Sequence, residues 1–388
     1  MISLSHTRYG SRALPGQIVA PVRSLPAQQR ARKFHRRLQG ISDSGQQALG
    51  RLEGTRDPYR VWLSEIMLQQ TRVATVLSYY PRFLDRFPDV ETLAGAPVES
   101  VLQSWAGLGY YARARLAHAC AKAVATEHGG AFPRSAAELA QLPGIGRSTA
   151  AAIAAFCFDE RAAILDANVR RVLARRYAID GDPAQRAVAD SLWAVAGSLL
   201  PGRRDMPRYT QAIMDLGAGI CTPCKPQCVL CPVQDGCRAY RMGRVEDFPT
   251  RRKAAPRPVR SAHFLVALRG PHVLVEQRSA DGIWGGLLSL PEHPEVRALR
   301  RHARSLGALA SPTPLAPRRH AFTHFTLAFT PHVVRLDPEP PRAPADGALR
   351  WLALGEIERA ALPAPVLALL REVRGNAADP GSGFAGAR

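Results

Sequence analysis

Apolar residues recur at helical spacing over more than half of the chain. The first predicted helix begins at Asp57, an N-cap followed by proline in the first turn, and runs unbroken to Tyr80. Its apolar face carries Trp62, Ile66, Val73, Leu77 and Tyr80. Further helices are predicted from Pro97, over 112–127, after a capping box at Ser135 and Glu138, through Ala155, and from Asp166. The pattern predicts an all-helical region that ends near residue 220.

Beyond residue 260 the pattern changes to short apolar or alternating runs that are typical of strands. Strands are predicted over 263–268, 273–277, 325–329 and 333–336, with a helix between Glu295 and Leu306. We therefore expect an all-α domain over 55–240 and a smaller α+β domain over 261–373, joined by a stiff, basic, proline-rich linker at 241–260. Residues 1–54 and 374–388 are predicted to be poorly ordered.

Composition narrows the class of protein. The chain has 388 residues, 46% of them hydrophobic, which is enough for packed cores in two or three domains. It holds no apolar stretch long enough to span a bilayer and no signal-peptide pattern, so we expect a cytoplasmic protein that does not bind membranes. The formal net charge of +20 indicates a polyanionic partner such as nucleic acid, with solvated basic faces as the alternative.

Four of the seven cysteines form the spacing C-x6-C-x2-C-x5-C, namely Cys221, Cys228, Cys231 and Cys237. Four thiolates this close in sequence can wrap an iron-sulfur cluster, and a zinc ion is the alternative that coordination chemistry leaves open. Cys224 lies inside the first loop and has no predicted role. Cys120 and Cys157 fall on apolar helical positions and are predicted to be core residues.

A turn of the form L-P-G-x-G lies between two predicted helices, at residues 142–146. It is typical of a helix-hairpin-helix, in which Gly144 and Gly146 let backbone N–H groups approach a DNA phosphate at a helix N-terminus. A plain tight connection between helices is the alternative. Asp166 follows twenty residues beyond Gly146, and this combination is more specific than the turn alone.

The hairpin, Asp166 and the four-cysteine loop together resemble the helix-hairpin-helix DNA glycosylase superfamily over residues 57–240. In that superfamily, enzymes that also cut the strand carry a lysine at the second position after the last glycine of the hairpin, and this chain has Ser148 there. Ser148, residues 62–71 and residues 107–113 resemble the MutY-type adenine DNA glycosylases instead.

The resemblance implies a monofunctional DNA N-glycosylase of base excision repair, a monomer working at the bacterial nucleoid. Its implied substrate is double-stranded DNA in which adenine lies opposite 8-oxoguanine or guanine, and its implied product is an apurinic site. It also implies a 4Fe-4S cluster as cofactor, held by the four cysteines of the loop.

Two carboxyl groups of the all-α domain receive roles from the resemblance. Glu65 resembles the general acid that protonates adenine at N7, and the apolar residues beside it would favour its protonated form. Asp166 resembles the carboxylate that stabilises positive charge on the deoxyribose, with Asn168 orienting Asp166 or a water. The structural alternatives are a solvated glutamate, a helix N-cap and a polar first-turn residue, respectively.

A base inside a duplex must be flipped out to reach these groups. By the same resemblance, the residues that fill or border the opened stack are Gln70, Thr71 and Tyr110. Leu68 and Ser148 are expected to line the adenine pocket, and Gln211 is expected to read an edge of adenine. Ordinary packing or surface roles are the alternative for Leu68 and Gln211.

The C-terminal domain resembles the Nudix-like module with which MutY proteins sense 8-oxoguanine. Residues 282–287 are similar to its early loop, and its lesion-reading loop is similar to Phe322, Thr323 and His324, for which a plain strand end is the alternative. A hydrolytic Nudix site needs a row of glutamates to bind magnesium, whereas Arg301 and Arg304 stand in their place here. We therefore expect recognition of the lesion without Nudix hydrolysis.

One departure from the family keeps other classes of protein open. Residues 38–56 show neither the first helix nor the L-P-W segment that helps to enclose adenine in MutY proteins. An inactive DNA-binding homologue is therefore an alternative. The others are an endonuclease-III-like glycosylase and lyase, and a Nudix pyrophosphohydrolase.

Overall fold

The computed structural model describes residues 34–35, 37–38, 55–250, 256–279, 281–337 and 347–378. The helices of the first part are α1 (Pro58–Leu68), α2 (Val73–Arg86), α3 (Val90–Gly95), α4 (Val98–Trp105), α5 (Tyr111–Glu127), α6 (Ala136–Leu139), α7 (Arg147–Phe158), α8 (Ala167–Tyr177), α9 (Arg186–Ser198), α10 (Met206–Asp215) and α11 (Arg238–Arg241). A π-helical turn follows α10 at Leu216–Ile220, and 3-10 turns lie at Arg203–Asp205, Cys228–Leu230, Gln234–Gly236 and Val245–Asp247. The all-α fold predicted for this region is confirmed.

The unbroken helix predicted from Asp57 to Tyr80 is wrong, because the structure has two helices there. α1 ends at Leu68 and α2 begins at Val73. Between them Gln70 has φ +56°, a left-handed backbone conformation that ends the helical hydrogen bonding. The apolar spacing continues across the break, which is why the pattern alone predicts one helix.

Where a helix was predicted to start from a capping residue, the structure has the start at that residue. The Asp57 side chain accepts from a backbone N–H of α1 at 2.9 Å, and Ser135 and Glu138 form the capping box of α6. The sequence pattern missed α3, a short helix whose N-cap is Asp89. Its few apolar residues give too short a pattern to recognise, although the cap itself was visible.

The C-terminal part consists of one mixed sheet with a helix on each side. Its elements are β1 (Val259–Arg269), β2 (His272–Gln277), β3 (Leu288–Ser289), β4 (Glu292–His293), α12 (Val296–Ser305), β5 (Thr313–Pro314), β6 (Arg318–Ala321), β7 (Thr326–Leu336), β8 (Leu349–Ala353) and α13 (Ala364–Ala378). The central path of the sheet is β3-β2-β1-β7-β5, with β4 on β1, β6 on β7 and β8 on β2. The predicted α+β class is confirmed.

The two strands predicted over 325–329 and 333–336 form the single strand β7, so their division was wrong. β7 runs parallel to β1 along its whole length. On its other side β6 pairs with the first half of β7 and β5 with the second half, and Pro331 lies in the gap between them. Because proline has no N–H to donate, this gap tolerates it without ending the strand.

A single buried apolar cluster joins the two domains. Phe264 and Val266, on one face of β1, belong to the same cluster as Trp105 of α4. At the contact, a Cβ added to Gly286 would lie 3.0 Å from Cδ1 of Leu102. The opposite face of β1 packs against α12 in a separate cluster. The cluster on the first face also includes Val366 and Leu369 of α13, whereas α12 covers the opposite face.

The two ends of the described chain differ from the predicted boundaries. Residues 34, 35, 37 and 38 are helical, and Phe34 and Leu38 are buried in a second cluster with α7–α10. The remainder of 1–54 lies outside the described residues. α13 continues to Ala378, past the predicted boundary at 373, while 251–255 of the linker and 379–388 also lie outside. In the part of the chain that is described, no helix is long and apolar enough to cross a membrane.

Candidate active site

A cavity of about 610 Å³ lies where the end of α1 meets the starts of α7 and α8. The predicted site residues that line it are Glu65, Leu68, Gln70, Thr71, Ser148, Asp166 and Asn168. Other walls are formed by Gln69, Arg72, Thr149, Ala152, Ile164, Ala167 and Met214. The structure thus brings Glu65 to the same cavity as Asp166 and Asn168, from which it is distant in sequence.

Asp166 is both the N-cap of α8 and a wall of the cavity. Its Oδ1 accepts from the backbone N of Val169 at 2.8 Å, and the positive end of the helix dipole stabilises negative charge there. Asn168 Oδ1 accepts from Arg171 at 2.9 Å. A Cβ added to Gly217 would lie 2.6 Å from Cβ of Asn168, so a glycine is required beside it. Asp166 therefore acts as the N-cap given by the structural alternative and also lines the cavity, while its catalytic role stays a prediction.

Glu65 lies in the last turns of α1, partly buried, between a buried apolar core and the cavity. It is close to Cys157 of α7, a core residue as predicted. Burial raises the pKa of the Cys157 thiol to about 12, and the negative charges of Asp57 and Glu65 add to the increase. Glu65 therefore lines the cavity from a helix whose other residues belong to the buried core.

Ser148 supports the segment that leads to Asp166. Its Oγ accepts from the backbone N of Leu165 at 3.0 Å, which ties the start of α7 to the residue just before Asp166. The hydroxyl thus lies in the cavity wall, as predicted, and carries a structural hydrogen bond that the sequence did not indicate.

Arg113 of α5 stabilises the break between α1 and α2, and sequence reasoning assigned it no role. Its buried guanidinium donates to the carbonyls of Ile66 and Met67 at 2.9 and 3.0 Å, and to that of Gln69. A further bond, of 2.8 Å, goes to Oγ1 of Thr71. These carbonyls have no helical partner because α1 ends here, so Arg113 replaces the hydrogen bonds that the break removes.

The same guanidinium lies against two aromatic rings, with its carbon 5.6 Å from the centre of Trp105 and 5.2 Å from that of Tyr110. Burial lowers the pKa of Arg113 to about 10, so it remains charged at neutral pH. Arg113 therefore connects both predicted wedge positions, the Gln70 segment and Tyr110. In the sequence, the only indication of this role was that Arg113 is the last residue of the motif at residues 107–113.

Tyr110 lies in a second cavity, of about 450 Å³, between the two domains. It has φ +51° and is 46% exposed. The predicted lesion-reading residues Phe322, Thr323 and His324 line the same cavity, together with Trp284. Phe322 stacks on Phe325 with ring centres 4.7 Å apart, so its ring is held in place while Thr323 and His324 are exposed.

Gln211 does not line the first cavity, in contrast to the other residues predicted for the adenine pocket. Its Nε2 donates to Oδ1 of Asp215, one turn along α10, at 3.0 Å. Burial raises the pKa of Asp215 above its ordinary value. The Gln211 amide therefore has a hydrogen-bond partner within its own helix, which the family resemblance did not indicate.

The hairpin has the geometry that its glycines predict. Gly144 has φ +75°, and an added Cβ would lie 2.8 Å from Cβ of Leu116, so no other residue fits without displacement. Gly146 is the N-cap of α7, with open space where its side chain would be. The turn therefore presents backbone N–H groups at the N-terminus of α7.

Cys221, Cys228, Cys231 and Cys237 line one small cavity. Arg175 Nη1 donates to Sγ of Cys221 at 3.4 Å, and the same side chain donates to the carbonyl of Phe248 at 2.9 Å. Burial raises the pKa of the Cys231 thiol to about 11. Among the described residues, no group of three or more His, Cys, Asp or Glu side chains is arranged to hold a metal ion. Cys224 is exposed and does not line the cavity.

Glu292 of the C-terminal domain lies before α12 and is engaged in two ion pairs. Glu292 is only 10% exposed and pairs with both Arg260 and Arg278. Arg301 and Arg304 follow on α12. The Glu292 carboxylate is thus paired with arginines, and recognition without Nudix hydrolysis stays a prediction.

Comparison with known proteins agrees with this architecture. Residues 63–197 match the family model of the HhH-GPD superfamily of base excision DNA repair proteins, and residues 262–372 match that of the NUDIX domain. A thermostable thymine-DNA glycosylase of known structure is 28% identical, with a TM-score of 0.50, over 56% of this chain and all of that one. The fold and the cavity thus define a helix-hairpin-helix DNA glycosylase joined to a Nudix domain.

Curated relatives narrow the class further. Adenine DNA glycosylase of Mus musculus is 37% identical over 79% of this chain and 70% of its own length. The enzyme of the same name from Buchnera aphidicola subsp. Acyrthosiphon pisum is 30% identical over 82% of this chain and 91% of its own length. The chain belongs to the adenine DNA glycosylase family. This confirms the predicted resemblance and the predicted class of enzyme, a DNA N-glycosylase of base excision repair.

Proposed function

We propose that this enzyme removes adenine paired with 8-oxoguanine or guanine in duplex DNA and leaves an apurinic site without cutting the strand. The observation that carries the proposal is the convergence of Glu65 and Asp166 on one cavity of about 610 Å³. Hydrolysis of an N-glycosidic bond requires an acid for the leaving base and a negative charge for the sugar cation. Two carboxyl groups in different surroundings can supply both.

The proposed sequence of events uses the two carboxyl groups in turn. The target nucleotide is flipped from the stack into the cavity, where the proton of Glu65 is transferred to N7 of adenine. The bond between C1′ and N9 breaks, and the carboxylate of Asp166 stabilises the cation that forms on the deoxyribose. A water then adds to C1′ and its proton passes to the Glu65 carboxylate, so that neutral adenine and an apurinic site are the products and Glu65 is protonated again. Asn168, held by Arg171, orients Asp166 or that water.

Ser148 supports the monofunctional part of the proposal. A lyase needs an amine to form a Schiff base with the sugar, and a serine hydroxyl cannot do so. In this chain the Ser148 oxygen already accepts a hydrogen bond from Leu165. Leu68, beside Ser148 in the wall, offers the apolar contact for the base, whereas Gln211 would have to leave Asp215 to read it.

DNA is proposed to contact three further parts of the molecule. Backbone N–H groups around Gly144 and Gly146 bind a phosphate at the start of α7. Gln70 and Thr71 enter the stack from one side and Tyr110 enters it from the other. Arg113 contacts both Thr71 and the ring of Tyr110, and so holds the two segments in place. Phe322, Thr323 and His324, in the cavity between the domains, meet the opposite base. We propose that the enzyme acts as a monomer at the nucleoid.

We propose a 4Fe-4S cluster at the four cysteines. They share one cavity, they supply four thiol ligands, and none of the residues that line it is a carboxylate. Cys221, Cys228, Cys231 and Cys237 would hold the cluster, which would supply structural cross-linking of this loop. Arg175 would then join the loop to the linker at Phe248. Zinc is the alternative, and it would require the four cysteine sulfurs to lie about 2.3 Å from a single ion.

A strand-cleavage assay tests the proposed function. Duplexes with one adenine opposite 8-oxoguanine or guanine are incubated with enzyme and then analysed with and without hot alkali. Strand breaks are expected only after alkali, and Glu65→Gln or Asp166→Asn is expected to abolish them. Glu127→Gln, an exposed change at the end of α5, is the matched control and should retain activity. Breaks without alkali would overturn the monofunctional claim, and full activity of Glu65→Gln would overturn the catalytic assignment.

A further inference from the structure

Helix α12 carries four exposed arginines on one side: Arg297, Arg300, Arg301 and Arg304. At 100° per residue they fall within an arc of about 100°, and they extend over about 10 Å along the helix axis. We call them the α12 arginine face. Leu299 and Ala303, on the other side of the helix, are fully buried. Burial of α12 therefore directs all four guanidinium groups outward.

The α12 arginine face lies away from the proposed active site. Leu299 and Ala303 pack against Leu265 and Ala267 of β1, in a cluster separate from the one that joins the two domains. The alternate residues of β1, Phe264 and Val266 among them, belong to the joining cluster on the opposite face, since side chains alternate between the faces of a strand. The α12 arginine face is therefore on the far side of the sheet and outside both cavities.

Acidic neighbours do not neutralise these four charges. In the described ranges, none of the four arginines takes part in a salt bridge. Glu292, nearby in sequence, is occupied by Arg260 and Arg278. Four like charges on neighbouring turns repel one another at low ionic strength, and a bound anion would relieve this repulsion.

We propose that the α12 arginine face binds the phosphate backbone of duplex DNA at a second position, separate from the nucleotide being cleaved. The inference rests on the proposed function in one respect, that duplex DNA is the substrate and is therefore the polyanion this surface meets. Guanidinium groups bind phosphate oxygens bidentately and read no sequence. The face thus holds the enzyme on undamaged DNA and leaves the chemistry to the glycosylase domain.

The affinity for an undamaged duplex, measured against salt concentration, tests this surface. Each phosphate contact contributes about −0.9 to the slope of log K against log salt. The double variant Arg301→Gln with Arg304→Gln is expected to make this slope less steep by about 2. When the salt concentration rises from about 50 to about 200 mM, the variant should therefore lose about 12-fold less affinity than the unmodified enzyme. Arg301→Lys with Arg304→Lys keeps the charges and is expected to keep most of the slope.

The matched control removes the same charge from another exposed helix. Arg371 and Arg374 of α13 pair with Glu358, and changing both to Gln should leave the slope close to that of the unmodified enzyme. Equal flattening by both double variants would overturn the proposal, because overall charge would then explain it. An unchanged slope in the α12 variant would also overturn it and leave an acidic protein segment as the occupant. Single-turnover adenine release at saturating enzyme tests the proposed function separately, and the α12 variants should retain it.

Discussion

Replacing Arg113 with Gln tests how the break between α1 and α2 is maintained. The substitution removes the donors for the buried carbonyls of Ile66 and Met67, which accept at 2.9 and 3.0 Å. A buried acceptor left without a partner costs about 1–3 kcal/mol, so two cost about 2–6 kcal/mol. Water entering the space left by the shorter side chain reduces this, and we expect a loss of about 3 kcal/mol. That is a large part of the stability of about 5–15 kcal/mol typical of folded proteins.

The effect on activity follows from the same geometry. Without Arg113, the end of α1 and the segment Gln69–Arg72 lose the side chain that fixes them, and Glu65 lies on that end of α1. The rate of adenine release in single turnover should therefore fall by at least about tenfold, corresponding to about 1.4 kcal/mol of transition-state stabilisation. Arg113→Lys keeps the charge but has too few donors for all of these acceptors, and an intermediate loss is expected.

The measurements are urea unfolding followed by circular dichroism and single-turnover release at saturating enzyme. Fluorescence of 2-aminopurine at the target position reports base flipping independently of the chemical step. The control is Arg82→Gln, which removes an exposed arginine from α2 of the same domain. If Arg113→Gln loses less than about 1 kcal/mol of stability and releases adenine within about twofold of the control, the argument from unsatisfied carbonyls is refuted.

Three further outcomes are expected. Gly144→Ala should cost about 1–3 kcal/mol in urea unfolding and weaken DNA binding, because of its φ of +75° and the contact with Leu116; unchanged stability would contradict the packing. Ser148→Ala should slow adenine release without creating lyase activity, since the bond to the backbone N of Leu165 is lost, and borohydride trapping of a DNA adduct would contradict it. Burial lowers the pKa of His332 below 6.5, so as the pH falls the unfolded chain takes up a proton before the folded chain does. The melting temperature should therefore be lower at about pH 5.5 than at about pH 7.5. The difference should be smaller in His332→Asn.

The sequence predicted those parts of the fold whose causes are local. The caps at Asp57 and Ser135 depend on residues three or fewer positions away, and the single-face apolar pattern identifies the long helix α5. The break at Gln70 could not be predicted, because the guanidinium that stabilises it comes from α5. Likewise, Pro331 is tolerated in β7 only because β5 and β6 leave a gap beside it.

The candidate site shows the same distinction. Glu65, Ser148 and Asp166 were predicted from motifs, and the structure places all three around one cavity. Arg113 was missed because it donates to main-chain carbonyls, and every residue has such a carbonyl whatever its side chain. Gln211 was predicted from the family resemblance, which does not indicate that Asp215, one turn away in α10, accepts a hydrogen bond from its amide.

The contact between Leu102 and the loop around Gly286 has a consequence for biosynthesis. A ribosome completes the helical domain well before it reaches the strands that cover Leu102, so for several seconds this apolar surface faces the solvent. Nascent chains at that stage are exposed to mutual association and are natural clients for chaperones. Truncation after the helical domain would make that transient state permanent.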